Sequence, residues 1–194
     1  MELVSVVEII AVVLGVLQSI LVLLNRRSNW YFYIGQMAAL AVFSFLIGMY
    51  GNVMLDFLYI GFGVWGLVTW GKDDESITRI KKEERWKRWL DTLAIFSFTT
   101  LFVIALPGEF KCFDILTVGT SILATLLMVK HKLETWIVWF INDILYVVTY
   151  FQLPDQPVYL IIMYVFWTGM AVASYIAWRK KLKNSGFPAG NSME

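Results

Sequence analysis

Seven apolar stretches, at residues 3–24, 30–49, 53–70, 92–106, 114–129, 136–153 and 157–178, divide this chain, and its basic residues fall between them on alternate sides. Each stretch approaches the ~20 residues that span a ~30 Å hydrocarbon core, the fourth and fifth at the short end. With the N-terminus on one side, the opposite side collects Arg26 and Arg27; Lys72, Arg79, Lys81, Lys82, Arg85, Lys87 and Arg88; Lys130 and Lys132; and Arg179, Lys180, Lys181 and Lys183. Of the 16 Lys and Arg, only Lys111 falls on the N-terminal side. An even number of helices, or a missed span, would scramble this segregation. By the positive-inside rule the rich side is cytoplasmic, which predicts an outside N-terminus and a cytoplasmic C-terminus.

The predicted fold class is therefore an all-α integral membrane protein with seven transmembrane helices. A hydrophobic content of 59% with 16% charged residues agrees, because soluble domains carry about 25% charge. The formal net charge of +1 gives no reason to expect a nucleic-acid partner. Cys112 is the one cysteine and His131 the one histidine, which excludes a disulfide framework, a Cys/His metal site and a Cys–His dyad within one chain. The first stretch opens on Glu2 rather than on a basic region and stays apolar to Leu24, so it reads as a retained helix. Residues 71–91, dense in both signs of charge, read as a cytoplasmic linker with Trp86 and Trp89 as interfacial anchors. Residues 184–194 show no apolar period and read as a disordered tail.

The sixth stretch carries a carboxylate near its middle, Asp143. At about 100° per residue, Trp136, Trp139, Asp143, Tyr146 and Tyr150 share one face, and Ile137, Ile141, Ile144 and Val148 mostly take the other. A carboxylate at the centre of a membrane helix costs about 2.5 to 3.5 kcal/mol, so it faces a bundle interior or a water-filled path. Asp143 is the leading site candidate. Glu8, Asp56 and Asp114 lie nearer helix ends, and Asp114 can cap the fifth helix.

Helices two and three also match helices six and seven. Asn29-Trp30-Tyr-Phe-Tyr33 falls on Thr135-Trp136-Ile-Val-Trp139, Gln36 on Asn142, Gly61 on Gly169, and Trp70-Gly-Lys72 on Trp178-Arg-Lys180. Three helices thus recur, residues 1–70 and 114–183, with residues 92–106 as the connecting helix that restores orientation. In such repeat transporters the substrate site lies near the midplane.

With this plan, with Trp65-Gly66-Leu-Val-Thr-Trp70 closing helix three and with Trp136-x-x-Trp139-x-x-x-Asp143 in helix six, residues 5–183 resemble the PnuC family of vitamin transporters, the bacterial relatives of SWEET sugar transporters. The resemblance implies facilitated diffusion of a B-type vitamin or nucleoside across the bacterial inner membrane, without a cofactor, an ion gradient or ATP hydrolysis by the carrier. A cytoplasmic kinase would then trap the substrate. Some members are homotrimers, and the resemblance extends that expectation to this chain.

The family's helix-six tryptophans and polar residue carry over to Trp136, Trp139 and Asp143. The candidate substrate-binding set adds Asn142 and Tyr146 from helix six, Tyr33 and Gln36 from helix two, Trp65 from helix three and Trp167 from helix seven. Nicotinamide riboside members resemble Trp-x-x-Trp-x-x-x-Asn and tend to have a second Trp in helix three, where this chain has Asp143 and Leu67. An ionised carboxylate only accepts hydrogen bonds, so it suits a cationic ring with an amino group. Thiamine has both, and thiamine is the expected cargo, with nicotinamide riboside as the alternative.

Each candidate has a plainer reading. Trp30, Trp70 and Trp178 fit an interfacial belt better than a site, and Trp136 fits either. Gln36 and Asn142 serve interhelical hydrogen bonds as readily as substrate. Gly61, Gly63 and Gly66 read first as a small-residue packing face. A membrane-embedded enzyme is the rival from another class, but no nucleophile with its base and no acidic pair at metal-ligand spacing supports it.

Overall fold

The computed structural model describes residues 2–46, 50–70, 77–105, 111–152 and 158–184; of the tail expected at 184–194 only Asn184 is described, as the last residue of a helix, and residues 185–194 and the start of the linker at 71–76 lie outside these. The described residues form seven α-helices: α1 Glu2–Leu23, α2 Asn29–Leu46, α3 Tyr50–Thr69, α4 Arg85–Ala105, α5 Lys111–Val129, α6 Thr135–Phe151 and α7 Val158–Asn184. One 3₁₀ turn, Lys82–Glu84, leads into α4. In lipid every backbone polar group must be satisfied within its own segment, which is why such apolar runs become helices. Large apolar side chains remain exposed on the outer faces, among them Leu3, Ile9, Phe57, Leu101 and Ile162. By length and composition the helical segments Leu3–Leu23, Lys82–Ala105, Cys112–Val129 and Ile161–Asn184 can each cross a membrane. The protein is an all-α integral membrane protein.

Two helix limits differ from the sequence expectation. α4 begins at Arg85 rather than at 92, so Trp86 and Trp89 ride on its first turns and are largely exposed. α7 continues to Asn184, carrying Arg179 to Lys183 beyond the apolar run. In both cases the run of apolar residues marks the part suited to lipid, whereas Arg and Lys are good helix formers that extend the helix into water.

The chain divides into two compact units, Met1–Glu75 and Ser76–Glu194. Within the first, α2 packs against both α1 and α3; within the second, α4 packs on α5, α5 on α6 and α6 on α7. The α1–α2 and α5–α6 turns are built alike. Asn25 (φ 56°) and His131 (φ 49°) are the residues of left-handed backbone among those described. Around them Asn25 N–H donates to Val22 O and Arg26 N–H to Leu21 O, as His131 N–H donates to Met128 O and Lys132 N–H to Leu127 O. This is the Schellman pattern, which satisfies the last carbonyls of a helix. Asn29 N–H and Thr135 N–H then close onto Arg26 O and Lys132 O and start the next helices.

The tryptophans recur in the same way. Trp30 meets Trp70 edge-on at 5.3 Å and 89°, and Trp136 meets Trp178 at 5.2 Å and 89°. Trp30, Trp70 and Trp178 are wholly buried. The belt reading therefore gives way to a packing one for these three: each ring is turned toward the neighbouring helix of its own unit. Gly66 makes room for the first pair, because a Cβ there would overlap the Trp30 indole. Gly63 faces Ile34 and Tyr33, while Gly61 faces open space and is no part of a packing face among the described residues. The Arg27 guanidinium donates twice to Leu67 O, at 2.9 and 2.6 Å, and so caps the C-terminal end of α3.

The described part of the linker is held rather than free. Thr78 N–H donates to His131 O and Leu133 N–H to Thr78 O, both at 2.9 Å. Ile80 N–H reaches the Glu134 carboxylate at 3.2 Å, and Lys132 pairs with Glu84 at 2.9 Å. Ile77 is buried. These contacts fasten residues 77–84 to the α5–α6 turn.

Candidate functional site

α6 sorts its residues as its period dictates. Asn142 and Asp143 are 1% and 3% exposed, whereas Ile137, Ile141, Ile144 and Val148 are 40–48% exposed. Burying the polar residues while exposing the aliphatic ones is the arrangement of a helix with lipid on one side and bundle on the other.

The Asn142 carboxamide oxygen accepts a 2.7 Å hydrogen bond from Thr120 Oγ1 on α5. That side chain is therefore engaged in joining α5 to α6. For Asp143, no hydrogen-bond donor or cationic partner is found among the described residues. One turn further along α6, the Tyr146 ring stacks on Tyr164 of α7 at 4.4 Å and 22°. Tyr150 meets Tyr164 at 5.5 Å, and Trp167 meets it edge-on at 5.2 Å and 84°. Tyr146 is also within hydrogen-bonding reach of Thr117 and Tyr164. The second unit thus gathers Asp143, Tyr146, Tyr150, Tyr164 and Trp167 into one acidic, ring-lined cluster.

The other candidates take separate places. Trp136 is buried against Trp178, which makes it a packing residue first. Trp139 is half-buried on α6, about one turn from the helix start. In the first unit Tyr33 packs on Trp30 at 5.6 Å, and the buried Gln36 amide lies over Gly15 of α1. Trp65 is 40% exposed and leans on Phe62 at 6.5 Å. Glu8 is exposed on α1.

Tyr164 and Thr117, which belong to the cluster, and Thr120, which holds Asn142, are not among the residues the sequence marks. Tyr164 lies one turn before Trp167, a spacing that places both on one face and could have flagged it. No group of His, Cys, Asp and Glu able to hold a metal is found among the described residues.

A membrane-buried carboxylate beside stacked rings, in a chain with a repeated three-helix pattern, agrees with the comparisons. Residues 5–180 match the family described as nicotinamide mononucleotide transporter. The chain belongs to that family. It is similar to the nicotinamide riboside transporter PnuC of Neisseria mucosa, 28% identical over 189 residues, covering 90% of this chain and 72% of that one. The nicotinamide riboside transporter PnuC of Escherichia coli is 21% identical over 176 residues, covering 74% and 73%. A crystal structure of the vitamin B3 transporter PnuC superimposes with a TM-score of 0.76 at 24% identity, over 93% of this chain and 83% of that one, and so shares the fold.

The family is one of membrane transporters, and the chain is a multi-pass membrane protein. The expected preference for thiamine finds no support: these relatives are named for nicotinamide riboside. Asp143 in place of Asn weighed toward thiamine on charge, but a pyridinium ring is cationic too, so the carboxylate does not separate the two cargoes.

Proposed function

We propose that this protein carries nicotinamide riboside into the cell by facilitated diffusion across the bacterial cytoplasmic membrane, with its N-terminus outside and its C-terminus inside. The observation that carries the reading is Asp143, buried in α6 one turn from the stacked Tyr146–Tyr164 pair. A positively charged, flat ring satisfies both parts of that arrangement. The carboxylate supplies opposite charge, and aromatic faces add cation–π attraction worth up to ~2 kcal/mol when desolvated. The named activity of the relatives supports the riboside in particular. Trp139, on the same helix face, is assigned to the ring as well.

Facilitated diffusion needs a sink, and phosphorylation of the riboside by a cytoplasmic kinase supplies one by adding charge that bars return. A homotrimer remains the proposed assembly, by resemblance to the family. The test is counterflow in proteoliposomes loaded with unlabelled nicotinamide riboside. Labelled riboside is expected to accumulate transiently, with thiamine competing poorly. Exchange of thiamine but not riboside would reverse the assignment, and exchange of neither would end it.

A further inference from the structure

We propose that the start of α4 is a binding site for anionic phospholipid headgroups, in which Lys81, Lys82, Arg85 and Lys87 meet the phosphate while Trp86 and Trp89 rest at the acyl boundary. The site lies wholly within the second compact unit, and it does not depend on what the protein carries.

The rings set the place. Trp86 and Trp89 are 70% and 71% exposed, whereas Trp30, Trp70 and Trp178 are wholly buried. At about 100° per residue, Trp86, Trp89, Leu90 and Leu93 share one exposed sector of α4, turned from the buried Ile95, Thr99 and Val103. The segment Lys82–Ala105 is long and apolar enough to cross a membrane, so these indoles stand at its polar end, the depth that Trp favours. Arg85 and Lys87 flank the ring sector on either side by the same period, which lets their stems lie along it with the charged heads among the headgroups.

The charges set the sign. Glu84 pairs with Lys132 at 2.9 Å and Asp91 with Arg88 at 2.8 Å, while Glu134 accepts from Ile80 N–H at 3.2 Å and lies 3.6 Å from Arg79. Lys81, Lys82, Arg85 and Lys87 are exposed and enter no ion pair among the described residues. Four cations therefore stand outward beside the rings, with Glu83 as the one acid of this stretch left to offset them. A basic cluster next to interfacial aromatics is what an anionic lipid surface attracts, through charge and through burial of the rings together. A zwitterionic lipid offers the rings the same burial and the cations much less. The end of α7 also exposes Arg179, Lys180 and Lys183, but its Trp178 is buried, so it presents charge without rings.

The test is the melting temperature of the full chain in detergent, with phosphatidylglycerol or phosphatidylcholine of the same acyl chains added. Phosphatidylglycerol is expected to raise it by about 5 °C more than phosphatidylcholine does. Combining Lys82→Gln, Arg85→Gln and Lys87→Gln should leave the lipid-free melting temperature in place and remove at least half of that difference. Combining Arg179→Gln, Lys180→Gln and Lys183→Gln removes the same charge and should keep most of it. Equal shifts from the two lipids overturn the site, as does an undiminished difference in the α4 variant. Equal losses in the two variants also overturn it, since bulk charge would then suffice, and inorganic phosphate reproducing the shift overturns lipid as the ligand. Should the α4 variant fail to fold, Arg85→Gln decides alone, and an unchanged difference there overturns the site.

Discussion

At the scale of single residues, the buried carboxylate was legible and the partners of the tryptophans were not. Asp143 announced itself because charge inside an apolar run is costly whatever surrounds it. Replacing it by Ala, which removes both the charge and the acceptor oxygens, is expected to weaken riboside binding about tenfold, near 1.4 kcal/mol, with little change in thermal stability. Unchanged affinity in a folded variant would remove it from the site. Trp178 gives the contrasting case, since a position at a helix end does not say whether the ring turns to headgroups or to the next helix. Its edge-on contact with Trp136 predicts that Trp178→Ala costs about 3–5 kcal/mol of stability. Trp139→Ala should instead lose binding while melting near the wild-type temperature, and equal loss of stability in both would return Trp139 to the core. His131 adds a pH term. Burial, with the Lys181 charge adding to it, pushes its imidazole from 6.5 down to about 4. The unfolded chain then binds the proton more readily than the folded one, so the contribution is complete above pH 6.5 and is lost as the pH falls toward 4. The loss approaches roughly 3 kcal/mol. Thermal melts from pH 7 to 4.5 should show it, and His131→Asn, which keeps a residue tolerant of left-handed backbone, should flatten that part of the slope.

At the scale of elements, apolar runs located the helices and undercounted their ends. α4 begins in the charged stretch because Arg85, Lys87 and Arg88 extend a helix as well as Leu does, and hydropathy is blind to that. The docking of residues 77–84 on the α5–α6 turn was equally hidden, for it rests on backbone pairing of Thr78, which leaves no pattern in composition. Small residues were read as one packing stripe, and the structure separates them. Gly66→Ala is expected to destabilise by more than about 2 kcal/mol, since the added methyl group must displace a wholly buried indole. Gly61→Ala, opening onto space, should stabilise α3 by about 1 kcal/mol or leave it unchanged. Melting temperatures in one detergent check the order, and a reversal would mean that Gly66 is not pressed against Trp30.

At the scale of the whole molecule, the repeat was legible as a handful of matched residues, and its strongest expression was not. Asn25 and His131 share no chemistry, yet both turn the chain at the same point with the same hydrogen bonds. Orientation in the membrane has a built-in test, because Cys112 is the one thiol and is exposed near the start of α5. A membrane-impermeant maleimide is expected to label it in intact cells, and labelling only after lysis would invert the proposed topology. The paired indoles have a practical use of their own. Each compact unit keeps one shielded pair, so Phe replacements at Trp30 and Trp70, or at Trp136 and Trp178, would silence one half of the buried emission at a time. Heated under ultraviolet light, such proteins would show by their colour whether the two halves come apart together or in turn.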